Sequence, residues 1–148
     1  MTDPEICAAV RQHYGLAVRA VERIDRGSAA LFKLYGSEAA FILKVFQPKF
    51  RADSILREVH VTDFLRQNGI SVPEYISCRN GDFYFMQNGR IAILQAFIPG
   101  QTREKGCCSK RELLDSARLL AQIVNALDHY PYDDLLPVSY THLTLPTT

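Results

Sequence analysis

Phe41-Ile42-Leu43-Lys44-Val45-Phe46 sets a single lysine in the middle of an apolar run, and Glu58 follows fourteen residues later. Taking an ammonium out of water is costly unless an anion meets it. A lysine with apolar neighbours on both sides therefore calls for a carboxylate or a phosphate. Glu58 can supply the first and a nucleotide the second. The run is apolar at both alternating sets of positions, which predicts a central strand. The competing reading is an edge strand with the lysine head in water.

Outward from this strand, Pro48 breaks the pattern, and Asp53 or Ser54 is placed to cap a helix over residues 54–67, closed by Asn68-Gly69. Ile55, Val59 and Thr62 fall on one stripe of that helix. Glu58 shares the stripe and is expected to face inward, where an acid is unusual without a cationic partner. Upstream, Thr2 or Asp3 can cap a short helix over residues 4–14, with Pro4 and Glu5 in its first turn and Gly15 as its stop. Segments 16–24, 29–35 and 38–46 then predict a three-stranded meander.

Downstream, Asn80-Gly81 and Asn88-Gly89 are hairpin-turn signals that bracket Phe83-Tyr84-Phe85-Met86 and precede a strand over residues 90–97. Pro99-Gly100 ends it. After a polar loop over residues 101–108, Ser109-Lys110-Arg111-Glu112 is a capping box. It opens an amphipathic helix to about Leu127, whose stripe of Leu113, Leu114, Ala117, Leu120, Ala121, Val124 and Leu127 needs a partner surface. The predicted class is α+β. A five-stranded antiparallel sheet is covered by one helix, with an N-terminal helix before it and the first helix of another unit after it.

The 148 residues are 47% hydrophobic, and their net charge of +1 creates no field that argues for nucleic acid or an anionic membrane as partner. The acidic start, Met1-Thr2-Asp3-Pro4-Glu5, does not read as a signal peptide, and no apolar run approaches a membrane span. Cys7, Cys78, Cys107 and Cys108 show no metal-ligand spacing, so reduced thiols in the cytoplasm are expected. His13, His60 and His129 are scattered, and Phe83, Tyr84, Phe85 and Phe97 read as core aromatics.

A lysine on the third strand, an inward glutamate on the next helix and a strand ending in Pro-Gly together resemble the small lobe of the protein-kinase-like fold. More closely, the chain is similar to the aminoglycoside phosphotransferase and choline kinase family. The matching stretches are 24–32 as a phosphate-covering hairpin, 41–46 as the lysine strand, Arg57-Glu58, Gly69-Ile70-Ser71-Val72-Pro73, and 92–100 as a hinge strand. Within the family, segment 88–100 is most similar to bacterial homoserine kinases.

The resemblance implies ATP and Mg2+ as cofactors and a small-molecule hydroxyl acceptor such as homoserine, choline or an aminoglycoside. It implies that Lys44 holds the ATP phosphates while Glu58 orients the lysine. Gly27 and Ser28 would close over the phosphates, although one glycine departs from a glycine-rich loop. Backbone groups of Gln95, Ala96 and Phe97 would bond the adenine edge, with Ile42 and Leu94 against the base.

Family kinases carry a catalytic aspartate in a His-x-Asp loop and a metal-binding aspartate beyond it. Neither is found here: His129 is followed by Tyr130-Pro131, and Asp133-Asp134 does not match the pattern. Residues 137–148 change character abruptly and resemble the in-frame translation of a sequencing-library adapter. The expected organisation is a helix over 1–15, a kinase-like lobe over 16–100, a linker and first helix of a truncated large lobe over 101–136, and a non-native tail over 137–148. Such a fragment is expected to lack turnover, since phosphoryl transfer depends on the base and the magnesium clamp. The alternative class is a noncatalytic α+β protein-binding module.

Overall fold

The computed structural model describes residues 1–25 and 29–131. Gly27, Ser28, Asp133, Asp134 and the tail over 137–148 lie outside the described residues. Helix α1 spans Asp3–Tyr14 and is capped by Thr2, whose amide donates to Glu5 Oε2 at 2.7 Å. It stops at Gly15, whose φ of 72° is a left-handed C-cap. Strands β1 (Ala20–Ile24), β2 (Ala30–Tyr35) and β3 (Ala40–Val45) form the meander. Helix α2 covers Ala52–Gln67 with Arg51 at its N-cap, so it starts two residues before the expected segment and without a side-chain cap bond.

The sheet continues with β4 (Tyr75–Ile76), β5 (Tyr84–Gln87) and β6 (Arg90–Ala96). All pairings are antiparallel, and the order is β1-β2-β3-β6-β4, with β5 also on β6. The expected five strands are thus six. Tyr75 lies opposite Gln95 and Tyr84 opposite Ile93, so β4 and β5 occupy one edge of β6 end to end. The β5–β6 hairpin turns through Asn88 and Gly89, both with positive φ (51° and 71°), as a two-residue primed turn requires.

Alternation along the strands divides the sheet into two apolar layers. One face holds Phe32, Leu34, Leu43, Val45, Phe85, Ala92 and Leu94 against Ile6, Ala9, Val10 and Tyr14 of α1. On the other, Phe46, Ile91 and Ile93 pack against Ile55 of α2. Helix α1 is therefore an integral half of the core rather than an appendage.

Helix α3 spans Lys110–Leu127 and begins with the expected capping box: the Glu112 amide donates to Ser109 Oγ at 3.2 Å, and the Ser109 amide to Glu112 Oε2 at 2.7 Å. Bonds from the Ser109 backbone and side chain, then from Arg103, lower the Glu112 carboxyl pKa to about 2. Leu113, Leu114, Leu120 and Val124 are at least half exposed along its apolar stripe. An edge contact between Phe64 and Tyr130, with centroids 5.0 Å apart, joins the chain just after α3 to α2.

Candidate functional site

Strand β3 lies between β2 and β6, with Lys44 opposite Leu31 on one side and Ile93 on the other. Its neighbours Leu43 and Val45 point into the α1 layer, so alternation turns Lys44 to the α2 face. Glu58 stands on α2 one position before the buried Val59, which places it above β3. Lys44 Nζ lies 2.9 Å from Glu58 Oε1. The two side chains remain 23% and 43% exposed, so the expected inward glutamate sits at the rim of the interface, not inside it. Helical periodicity gives direction, while depth depends on how closely α2 approaches the sheet.

Tyr75, on the short β4, was not singled out by the sequence pattern. Its hydroxyl donates to the same Glu58 Oε1 and accepts from Lys44 Nζ at 3.3 Å. A charged pair and a phenol thus share one carboxylate oxygen. Burial pushes the Glu58 carboxyl pKa up, but the bonds from Tyr75 and Lys44 and the ammonium charge outweigh it, leaving the pKa below its usual 4.5. Burial, followed by the bond to Glu58 and its charge, raises the Tyr75 pKa well above its ordinary value.

Ile42 and Gln95 lie opposite each other and share the Lys44 face. Gln95 Oε1 is buried there with no hydrogen-bond partner among the described residues. Leu94 is wholly buried in the α1 layer. It therefore cannot flank a base together with Ile42, because successive residues of a strand point to opposite faces. The Ala96 amide donates to the Glu74 carbonyl at 2.8 Å and the Phe97 amide to the Ala40 carbonyl at 3.0 Å. Two of the backbone amides in the segment expected at the adenine edge, those of Ala96 and Phe97, are thus engaged within the chain. The Phe97 ring lies 4.0 Å beneath Lys33 Nζ, so it is a platform for a cation rather than a core aromatic.

A cavity of about 480 Å3 beside Cys7, Arg11, Leu16 and Val18 is on the α1 side, away from this chemistry. Among the described residues, no three His, Cys, Asp or Glu side chains come together as a metal site. No described helix is long and apolar enough to cross a membrane.

A twisted antiparallel sheet carrying a lysine, paired to a glutamate from one overlying helix, is the small lobe of a protein-kinase-like fold. The model of the phosphotransferase enzyme family matches residues 8–147. The chain belongs to that family. Among solved structures, an amicoumacin kinase in complex with AMP-PNP, Ca2+ and Ami superposes with a TM-score of 0.81 at 12% identity, covering 97% of this chain and 46% of its own. A microcompartment-associated aminopropanol kinase gives 0.74 at 15% identity over 93% and 45%. A spectinomycin phosphotransferase in complex with ADP and spectinomycin gives 0.69 at 14% over 85% and 38%. The chain spans less than half the length of each of these structures. No curated protein sequence matches it.

Proposed function

We propose that this chain is the nucleotide-anchoring lobe of an ATP-dependent small-molecule phosphotransferase whose acceptor is a hydroxyl group. The observation that carries this reading is the 2.9 Å contact between Lys44 and Glu58 on a face that stays open to solvent. An ammonium has three donor protons. Glu58 and Tyr75 take two directions, leaving the exposed side for a phosphate oxygen. ATP supplies the phosphoryl group, and Lys44 fixes the charge of its phosphates while Glu58 fixes the lysine.

Solved relatives are named for acceptors as different as spectinomycin, amicoumacin and aminopropanol. For this protein we favour a small amino alcohol of the homoserine or choline type over a large antibiotic, on the likeness of segment 88–100. The sequence carries no His-x-Asp loop, and on this reading the chain as given is expected to bind nucleotide without turnover. Its four free cysteines accord with the cytoplasm.

The exposed stripe on α3 favours a second reading, a protein-binding module. In the phosphotransferase reading, the same stripe packs against the remaining half of the enzyme. Calorimetric titration with adenosine, AMP and ADP separates the two. Affinity should rise with each phosphate that Lys44 reaches. Equal binding of adenosine and ADP, or no binding at all, refutes the anchoring role.

A further inference from the structure

Resting on the nucleotide reading, we propose that Tyr75 is a positioning residue for Lys44, its hydroxyl holding Glu58 in place so that the lysine stays oriented when a phosphate shares it. Three contacts meet at one point: Lys44 to Glu58 at 2.9 Å, Lys44 to Tyr75 at 3.3 Å, and Tyr75 to the same Glu58 oxygen. The Tyr75 ring also lies 5.6 Å from the ammonium.

A carboxylate 43% exposed, held by one lysine 23% exposed, is weakly fixed, because solvent screens the pair and each side chain has other rotamers. The problem grows when a phosphate arrives, since it competes with Glu58 for the same ammonium. Tyr75 does not respond to that competition. It is neutral, and its hydroxyl proton is donated to Glu58 Oε1.

The sheet fixes where that hydroxyl sits. Tyr75 pairs with Gln95 and Ile76 with Leu94, and the Ala96 amide secures the preceding Glu74 carbonyl. A cavity of about 230 Å3 lined by Val59, Asp63, Arg66, Glu74 and Tyr75 lies between α2 and the β4 edge, and Arg66 reaches Glu74 across it at 3.5 Å. Beside this gap the half-exposed Arg66–Glu74 pair is screened by solvent, and the Tyr75 hydroxyl adds a tie from the sheet to Glu58 itself.

The test uses the 148-residue chain in four forms: unaltered, Tyr75→Phe, Glu58→Gln and the double variant. One readout is ADP affinity by calorimetry. The other, independent of any nucleotide, is the acylation rate of Lys44 by a succinimidyl ester, followed by peptide mass spectrometry. Tyr75→Phe keeps the ring and should weaken ADP binding about fivefold and speed Lys44 acylation by a similar factor. Both effects should disappear in the Glu58→Gln background, because the role runs through Glu58.

Equal effects of Tyr75→Phe in both backgrounds would overturn the proposal in favour of simple packing. No effect on acylation in the unaltered background would overturn it outright. If the unaltered chain fails to bind ADP, the nucleotide reading falls, while the acylation cycle still decides the role of Tyr75.

Discussion

Replacing Lys44 with methionine should separate stability from ligand binding. At 2.9 Å the pair's gross attraction is roughly 6 kcal/mol at an effective dielectric of about 20. Little of that is net. Both groups give up hydration to meet, and Glu58 remains 43% exposed, so most of the attraction is returned by solvent on breaking the pair. Methionine keeps the length and apolar character of the lysine stem, and Glu58 retains water and the Tyr75 hydroxyl. The expected loss of folding stability is about 0–1 kcal/mol. Loss of a charge-assisted bond to phosphate is larger, about 1.5–3 kcal/mol, or roughly 10- to 100-fold in affinity. Urea unfolding followed by circular dichroism measures the first quantity and ATP calorimetry the second. An unchanged ATP affinity in a folded Lys44→Met chain would refute the anchoring role. A stability loss above about 3 kcal/mol would show instead that the pair behaves as a buried one.

Because Glu58 titrates below its usual 4.5 in the folded chain, its contribution is present above that value and is lost as pH falls through the lower, folded one. Urea midpoints of the unaltered protein should therefore drop on acidification below about pH 4.5, and Glu58→Gln should flatten this limb. Parallel curves for the two proteins would remove the linkage. Leu43 is wholly buried between β3 and α1, so Leu43→Ala should cost about 2–5 kcal/mol in the same unfolding assay. Leu120 is 61% exposed on α3, and Leu120→Lys should change stability by less than about 0.5 kcal/mol, whereas a large loss would mean the stripe is covered.

The anchoring pair was legible because both members break a local rule. Lys44 interrupts an apolar strand, and Glu58 joins the apolar stripe of a helix, so each advertises a partner. Tyr75 breaks no rule. A two-residue strand has no period to detect, and β4 exists only because β6 presents an open edge to it. The same dependence on pairing hides the partners of the adenine-edge segment, since the sequence shows a strand over 90–97 but not which amides Glu74 and Ala40 engage. Leu94 failed for a simpler reason, strand parity. The α3 stripe was legible as apolar, and its exposure follows from the absence of an opposing surface among the described residues.

Register assigns unequal freedom to the three groups that meet at the site. Lys44 is held by ladders on both sides of β3, and Tyr75 is held through Gln95 of β6, which itself pairs with Ile42 two residues from the lysine. These two are fixed relative to each other by one continuous sheet. Glu58 belongs to α2, which reaches that sheet mainly through Ile55 and its neighbours. Breaking the constellation therefore requires the helix to move rather than the lysine. The phosphate-binding geometry of Lys44 is built into the strands, while its charge environment depends on where α2 rests. A change that loosens α2 should thus alter affinity for the phosphates before it alters the fold.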